Sequence, residues 1–288
     1  MTIGFILQVC QAQKSNINYF NQIPPGDTAK IFASGIISLD SRRETKIVFS
    51  PDGRECLMAI GEAGTRKILY AKQDSVQWSE FVPADFITND RAQEPFFSPD
   101  SHSVFFTSRA KIYLSTRINK AWTTPIKLGS PINSDSEEYH PTVSLNRTLY
   151  FCSKRDGEYY IYRSKYESGK YSAIEKLDTT INSHYGAWDP YIAPDESYVI
   201  FTSVHPDGFG MQDQYISFYN INGTWSSPKN LGSSINTNKI EYGSYISPDK
   251  KYYFFSRPSG WKPNDSADIY WIKADFINLL HIANDKNK

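Results

Sequence analysis

Tyr245-Ile-Ser-Pro-Asp249 and the apolar run Tyr252-Tyr-Phe-Phe-Ser256 that follows it form a pattern that recurs along the chain. The other copies are Val48-Phe-Ser-Pro-Asp52, Phe96-Phe-Ser-Pro-Asp100, Thr142-Val-Ser-Leu-Asn146 and Tyr191-Ile-Ala-Pro-Asp195. Each is followed by its own apolar run, at 56–59, 104–107, 149–152 and 199–202. Counted from the Pro position, which Leu145 occupies in the third copy, the steps are 48, 46, 49 and 54 residues. Repeats of this length mark a propeller or an array.

Turn chemistry explains why each copy folds back on itself. Pro presets φ at the second turn position, and Asp or Asn tolerates the third and bonds back to the backbone. Flanked by apolar and aromatic residues, the turn reads as a hairpin between two buried strands. A third strand is expected downstream in each copy, at 68–71, 112–114, 160–163, 214–217 and 268–271. A fourth, introduced by an aromatic residue, is expected at 78–81, 122–128, 171–177 and 225–231. Four antiparallel strands per repeat make a propeller blade.

The fifth copy runs out after its third strand. Ala29-Lys-Ile-Phe-Ala-Ser-Gly-Ile-Ile-Ser-Leu-Asp40 matches the fourth-strand segments Pro125-Ile-Lys-Leu-Gly-Ser-Pro-Ile-Asn-Ser-Asp135 and Pro228-Lys-Asn-Leu-Gly-Ser-Ser-Ile-Asn236, yet no blade precedes it. The expected fold is therefore an all-β propeller of five four-stranded blades, closed by pairing 31–38 with 269–272 so that no edge stays open. Six blades is the alternative, if residues 14–45 form more of a sheet. Residues 18–275 make this single domain. Residues 1–17 read as a signal-like or disordered start, and 276–288 as a short tail whose helical spacing (Phe276, Leu279, Leu280) suits packing on the outside.

Composition narrows the function. The 288 residues carry 31 basic and 31 acidic side chains, and this zero formal charge argues against nucleic acid or an anionic membrane as partner. The 20 Tyr and 17 Phe suit many short strands filling narrow spaces. Beyond the N-terminus no stretch approaches a membrane-spanning length. Residues 1–13, MTIGFILQVCQAQ, look like the end of an export signal without its basic region, and Leu7-Gln-Val-Cys10 sits like a bacterial lipoprotein box, making Cys10 a candidate lipid anchor. Cys56 and Cys152 fall in second strands of blades that are not neighbours, so they are expected to pack as small hydrophobes rather than form a disulfide. The expected state is an exported monomer in the periplasm or at the cell surface.

The repeated Ser-Pro-Asp hairpins resemble the TolB-type (Pro-Asp) propeller repeat, a relative of the WD-repeat propellers, over residues 18–275. Pro206-Asp-Gly-Phe-Gly-Met-Gln-Asp-Gln-Tyr-Ile-Ser217 and Trp225-Ser-Ser-Pro-Lys-Asn-Leu-Gly232 are similar to uncharacterised exported bacterial members of that group. The resemblance implies a non-catalytic platform for a protein or ligand, periplasmic or surface-located, with no cofactor and no shared catalytic residues. Leu145-Asn146 departs from its Pro-Asp pattern.

In a propeller the first strands line the central channel, so residues just ahead of each hairpin ring its mouth, and long loops on the same face supply binding groups. Seven positions before the Pro register stand Glu44, Ala92, Glu138, Ala187 and Glu241. Six before stand Thr45, Gln93, Tyr139, Trp188 and Tyr242, and five before stand Lys46, Glu94, His140, Asp189 and Gly243. Past the second strands come Arg109, Lys154, Arg155, His205 and Arg257. The candidate ligand-binding set is Glu44, Glu94, Arg109, Glu138, Tyr139, His140, Arg155, Trp188, Asp189, His205, Glu241, Tyr242 and Arg257. Aromatic faces stack and carboxylates accept from hydroxyls or amines, which points to a glycan or a peptide segment. The same acids could instead pair with the nearby arginines and order the channel. A glycoside hydrolase using Glu44, Glu138 and Glu241 is the rival reading, since such enzymes need two carboxylates at a set separation. The sequence has no Gly-x-Ser-x-Gly elbow. Its histidines at 102, 140, 184, 205 and 281 make no zinc spacing. Asp207-Gly-Phe-Gly-Met-Gln-Asp213 lacks the alternating oxygen ligands of a calcium loop.

Overall fold

The hairpin pattern recurs in space as it does in sequence. A computed structural model describes residues 17–285 apart from 63–64, 76, 90, 261 and 263–264, so the export-like stretch 1–13 and Cys10 lie outside the described residues. First strands run at Arg43–Phe49, Ala92–Phe97, Glu138–Val143, Trp188–Ile192 and Tyr242–Ile246. Each pairs antiparallel with a second strand, at Glu55–Glu62, Ser103–Ser108, Leu149–Ser153, Tyr198–Ser203 and Tyr252–Pro258. Third strands follow at Thr65–Lys72, Lys111–Ile118, Tyr160–Ser164, Asp213–Phe218 and Ala267–Lys273. The first strands neighbour one another in cyclic order, and the fifth returns to the first.

The turns share one geometry. Ser50, Ser98, Ser144 and Ser247 each donate a hydroxyl hydrogen bond to the Asp or Asn two residues on, at 2.5–2.7 Å. The residue after that Asp or Asn is left-handed in all five copies: Gly53, Ser101, Arg147, Glu196 and Lys250 have φ between 59° and 71°. Asn146 takes the same role as Asp in the third copy, accepting from Thr148 N–H at 3.1 Å, so the Leu-Asn departure leaves the turn intact.

Fourth strands are shorter than the sequence suggests. They cover Val82–Pro83, Ile126–Lys127, Glu175–Lys176 and Lys229–Asn230. The aromatic residues expected to start them pair elsewhere: Trp122 and Tyr171 sit in separate hairpins opposite Arg117 and Tyr166, and Trp78 and Trp225 make single bridges to Gln73 and Tyr219. In the first copy the strand lies after 78–81 rather than within it.

Lys30–Ile31 pairs antiparallel with the third strand of the fifth repeat, Lys30 opposite Trp271 and Ile31 opposite Tyr270. Two further contacts match the other repeats. Phe32 N–H donates to Ile269 O at 2.7 Å, as Leu128, Leu177 and Leu231 do to Ile112, Ile161 and Gln214 at 3.0 Å. Asn133, Asn182 and Asn236 each clamp those same third-strand residues through both amide atoms. Ser38 takes their place in the N-terminal segment, accepting from Ile269 N–H at 3.1 Å. Burying a polar side chain is tolerable because it satisfies backbone groups that would otherwise be orphaned.

Aromatic packing fills the space between the fifth and first repeats. Phe32 packs edge-on against Phe254 and Trp271, and Phe20 stacks on Trp78 with centroids 4.5 Å apart. Cys56 and Cys152 are buried free thiols. The tail forms a helix, Phe276–Asp285. Phe276, Ile277 and Leu280 pack on the core while Leu279 is 67% exposed, so the inward stripe differs from the expected one by including Ile277 and leaving out Leu279. Among the described residues no helix is long and apolar enough to cross a membrane.

Candidate functional site

Each first strand is broken by a register shift just before its hairpin, between Glu44 and Lys46, Gln93 and Phe96, Tyr139 and Thr142, Trp188 and Tyr191, and Tyr242 and Tyr245. In four of the five, the extra residue has a left-handed backbone: Glu94 (φ 57°), His140 (53°), Asp189 (50°) and Gly243 (75°). A bulge re-aims a side chain, and left-handed non-glycine residues cost about 1–3 kcal/mol each. That the chain tolerates three such residues at one register position marks the ring as a place where direction matters. Pro95, Pro141 and Pro190 follow three of them, in keeping with the bulge's lack of a ladder partner.

The bulges bring two rings together. All five residues six positions before the Pro register and all five at five positions before it line a single cavity of about 390 Å³. Of the expected site residues, Glu94, Tyr139, His140, Trp188, Asp189 and Tyr242 lie here. Arg43, Arg66, Cys152 and Tyr159 complete the lining. Sequence reasoning passed over these four; Arg43 was reachable, because it adjoins Glu44 in the counted register. Trp188 is seated by Gly186, whose backbone is left-handed and where any Cβ would lie 2.2 Å from the indole. Gly243 is likewise forced, because a Cβ there would lie 2.5 Å from the Thr45 carbonyl oxygen.

Charges alternate around the floor. His140 Nδ1 lies 2.9 Å from Asp189 Oδ1 and 3.4 Å from Glu94 Oε1, and Glu94 Oε2 accepts from His140 N–H at 2.7 Å. Gly243 N–H donates to Asp189. Burial pulls the His140 imidazole down, but Glu94 and Asp189 outweigh it and hold it above its ordinary value. Asp189 is pushed up by burial and pulled further down by His140, Lys46 and Gly243, so it stays ionised well below the usual carboxylate range. Lys46 is 1% exposed, its ammonium is 3.9 Å from Asp189, and it makes no hydrogen bond among the described residues.

The glutamates seven positions before the Pro register do not line the cavity. Glu44, Glu138 and Glu241 are wholly buried and tied to arginines: Arg42 at 2.6 Å, Arg155 at 3.5 Å and Arg257 at 2.7 Å. Those arginines reach on to the carbonyls of Ile37, Ile132 and Ile235, the equivalent residues of three outer connections. Glu138 also accepts from Lys111 at 2.8 Å and Ser134 Oγ at 2.5 Å. Burial pushes Glu44 up to about 7 against the pull of Arg42. Arg109 and His205 lie outside the lining, the latter against Tyr185 with ring centroids 4.5 Å apart. On the hairpin face a second, more apolar cavity of about 600 Å³ is bordered by Phe96, Leu145, Tyr191 and Tyr245.

No protein-family model matches the chain, and neither does any curated protein. Solved structures do. A TolB-type protein from Agrobacterium tumefaciens is similar over 82% of this chain and 78% of its own, with a TM-score of 0.54 and 16% identity. The chain has a TolB-like β-propeller fold. An α-L-arabinofuranosidase from Podospora anserina, solved with cellotriose, is similar over 86% of this chain and 97% of its own, with a TM-score of 0.53 and 12% identity. A GH62 hydrolase solved with xylotriose covers 88% and 98%, with a TM-score of 0.52 and 10% identity. At such identities the likeness is one of fold, and function rests on the site itself.

Proposed function

We propose that this propeller has five four-stranded blades, closed by Lys30–Ile31, and serves as a non-catalytic binding module of the bacterial cell envelope. Its channel mouth engages a protein or carbohydrate partner. The blade count draws support from the match of Phe32 and Ser38 to the outer-strand contacts of the other repeats. The observation that carries the binding reading is the cavity itself: two complete register rings, with three half-buried aromatic side chains at Tyr139, Trp188 and Tyr242, converge on it.

A glycoside hydrolase is the second reading, favoured by one feature: Glu94 and Asp189 flank the same histidine nitrogen. It requires one carboxyl kept protonated to donate to the leaving oxygen. Asp189 is held ionised instead. The three glutamates expected for that chemistry are tied to arginines away from the cavity. Screening the full chain and Trp188→Ala on a glycan array, alongside capture from envelope extracts, tests both. A ligand retained unchanged by Trp188→Ala would remove the mouth from consideration, and release of reducing ends from a bound glycan would favour the hydrolase.

A further inference from the structure

Resting on the binding reading, the donors and acceptors around the mouth identify the kind of ligand. Lys46 is a fully buried ammonium that lines the cavity and has no hydrogen-bond acceptor among the described residues. Nearer the rim, the Arg43 and Arg66 side chains lie together over Gly61, each with atoms 3.7 Å from where its Cβ would be. Arg43 donates to the Asp265 carbonyl at 3.0 Å, and no ion pair is formed by either guanidinium among the described residues. Of the acceptors, Glu94 holds the His140 backbone N–H and Asp189 the Gly243 N–H, while Asp189 Oδ1 makes no hydrogen bond among the described residues and faces His140 Nδ1 at 2.9 Å and Lys46 at 3.9 Å. Three permanent cations, with the raised His140 beside them, thus face two carboxylates, so positive charge is in excess and the Lys46 ammonium has no acceptor within hydrogen-bond reach. A buried donor without a partner favours whatever brings it an acceptor.

We propose that the mouth takes an acidic glycan, seating the carboxylate of one uronic-acid unit on Lys46 and passing the next acidic unit along Arg43 and Arg66. The sugar ring lies against Trp188 and Tyr139. The excess of positive charge suits an acidic arm on the ligand, and charge-assisted bonds are the stronger kind. A cavity of about 390 Å³ has room for a sugar ring with its substituent and falls within the size range of ligand pockets. Aromatic walls beside a charged floor are what an amphiphilic ring with one acidic arm requires.

Titration calorimetry of the full chain with short oligogalacturonides, set against the same oligosaccharides with their carboxyls reduced to alcohols, tests this. The acidic form is expected to bind at least about tenfold tighter, with an affinity that falls as salt rises. Arg66→Ala changes an exposed side chain, so the fold is kept; it is expected to weaken binding about threefold or more and to flatten the salt dependence. Lys46→Met is expected to abolish the preference for the acidic form, with its melting curve recorded as a check on folding. Equal binding of acidic and reduced forms overturns the proposal while leaving a glycan-binding mouth in place. Binding of a sulfated glycan but no uronide overturns the carboxylate assignment. Absence of any glycan binding by folded protein overturns it too, and the binding-module reading then stands or falls on whether a captured protein partner is lost in Trp188→Ala.

Discussion

Glu138→Gln separates a carboxylate that holds the fold from one that holds a ligand. Glu138 is wholly buried and accepts from Ser134 N–H, the hydroxyls of Ser134 and Ser153, Lys111 and Arg155. Gln keeps the shape and one acceptor, but it places an N–H₂ among donors and removes the charge that balances two cations. Breaking a buried pair from one side costs about 3–5 kcal/mol. Lys111 and Arg155 retain 17% and 13% side-chain exposure, so water offsets part of the loss and the lower end, about 3 kcal/mol, applies. For a domain somewhat smaller than this chain each kcal/mol moves the midpoint by about 2–4 °C, so a fall of about 6–12 °C is expected. Thermal melts by circular dichroism at neutral pH read it, with Glu241→Gln as a parallel case because Arg257 and Thr237 hold that side chain in the same way. A melt within about 2 °C of wild type would refute the reasoning, since a surface-like cost means the carboxylate is not holding the fold.

The outer-strand contacts predict that Ser38→Ala, which orphans the Ile269 N–H, costs about 1–3 kcal/mol in urea unfolding, and that Asn236→Ala costs more because it frees both the Gln214 N–H and C=O. Gly243→Ala combines a left-handed backbone with a Cβ 2.5 Å from the Thr45 oxygen; a loss of about 2–3 kcal/mol is expected, and an unchanged midpoint would contradict the packing described here. The floor cluster gives a pH dependence. His140 is raised in the folded state, so its stabilising contribution is complete below its ordinary value of 6.5 and is lost as pH rises through the raised one. Asp189 is lowered, so its contribution is present above 3.8 and is lost only in acid. Denaturant unfolding from about pH 5 to 9 should show the gap between wild type and His140→Gln narrowing towards the alkaline end, and a gap that widens there would reverse the assignment.

Much of the architecture was legible because it is written in local chemistry. A Ser-Pro-Asp turn fixes a hairpin from four or five residues, so the first three strands of every repeat fall where the pattern puts them. The outer strands were less legible: two-residue pairings leave too little alternation to read, and the conspicuous Trp122 and Tyr171 belong to small hairpins beside them. At the mouth, counting from the Pro register found the right rings, but not which acids face the cavity. In a regular strand, residues two apart share a face, so Glu138 and His140 should point alike. The bulge breaks that alternation and turns His140 to join Tyr139 while Glu138 goes into the protein. The prolines after Glu94, His140 and Asp189 were the available sign, because Pro inside a buried strand implies a bulge.

The hydrogen bond between Ser38 and Ile269 joins residues 231 positions apart, and this imposes an order in time. The ribosome delivers one half of that latch 231 residues ahead of the other. At about 5–20 residues per second, synthesis leaves the early strand without its partner for roughly 10–50 s. During that interval the nascent chain offers an unpaired edge, and the repeats already made lack this contact. The final contacts are among the longest loops the chain must close, which slows folding as non-local pairing does generally. A polypeptide whose early strand waits that long for its partner offers a target that a chaperone binding open strands can use.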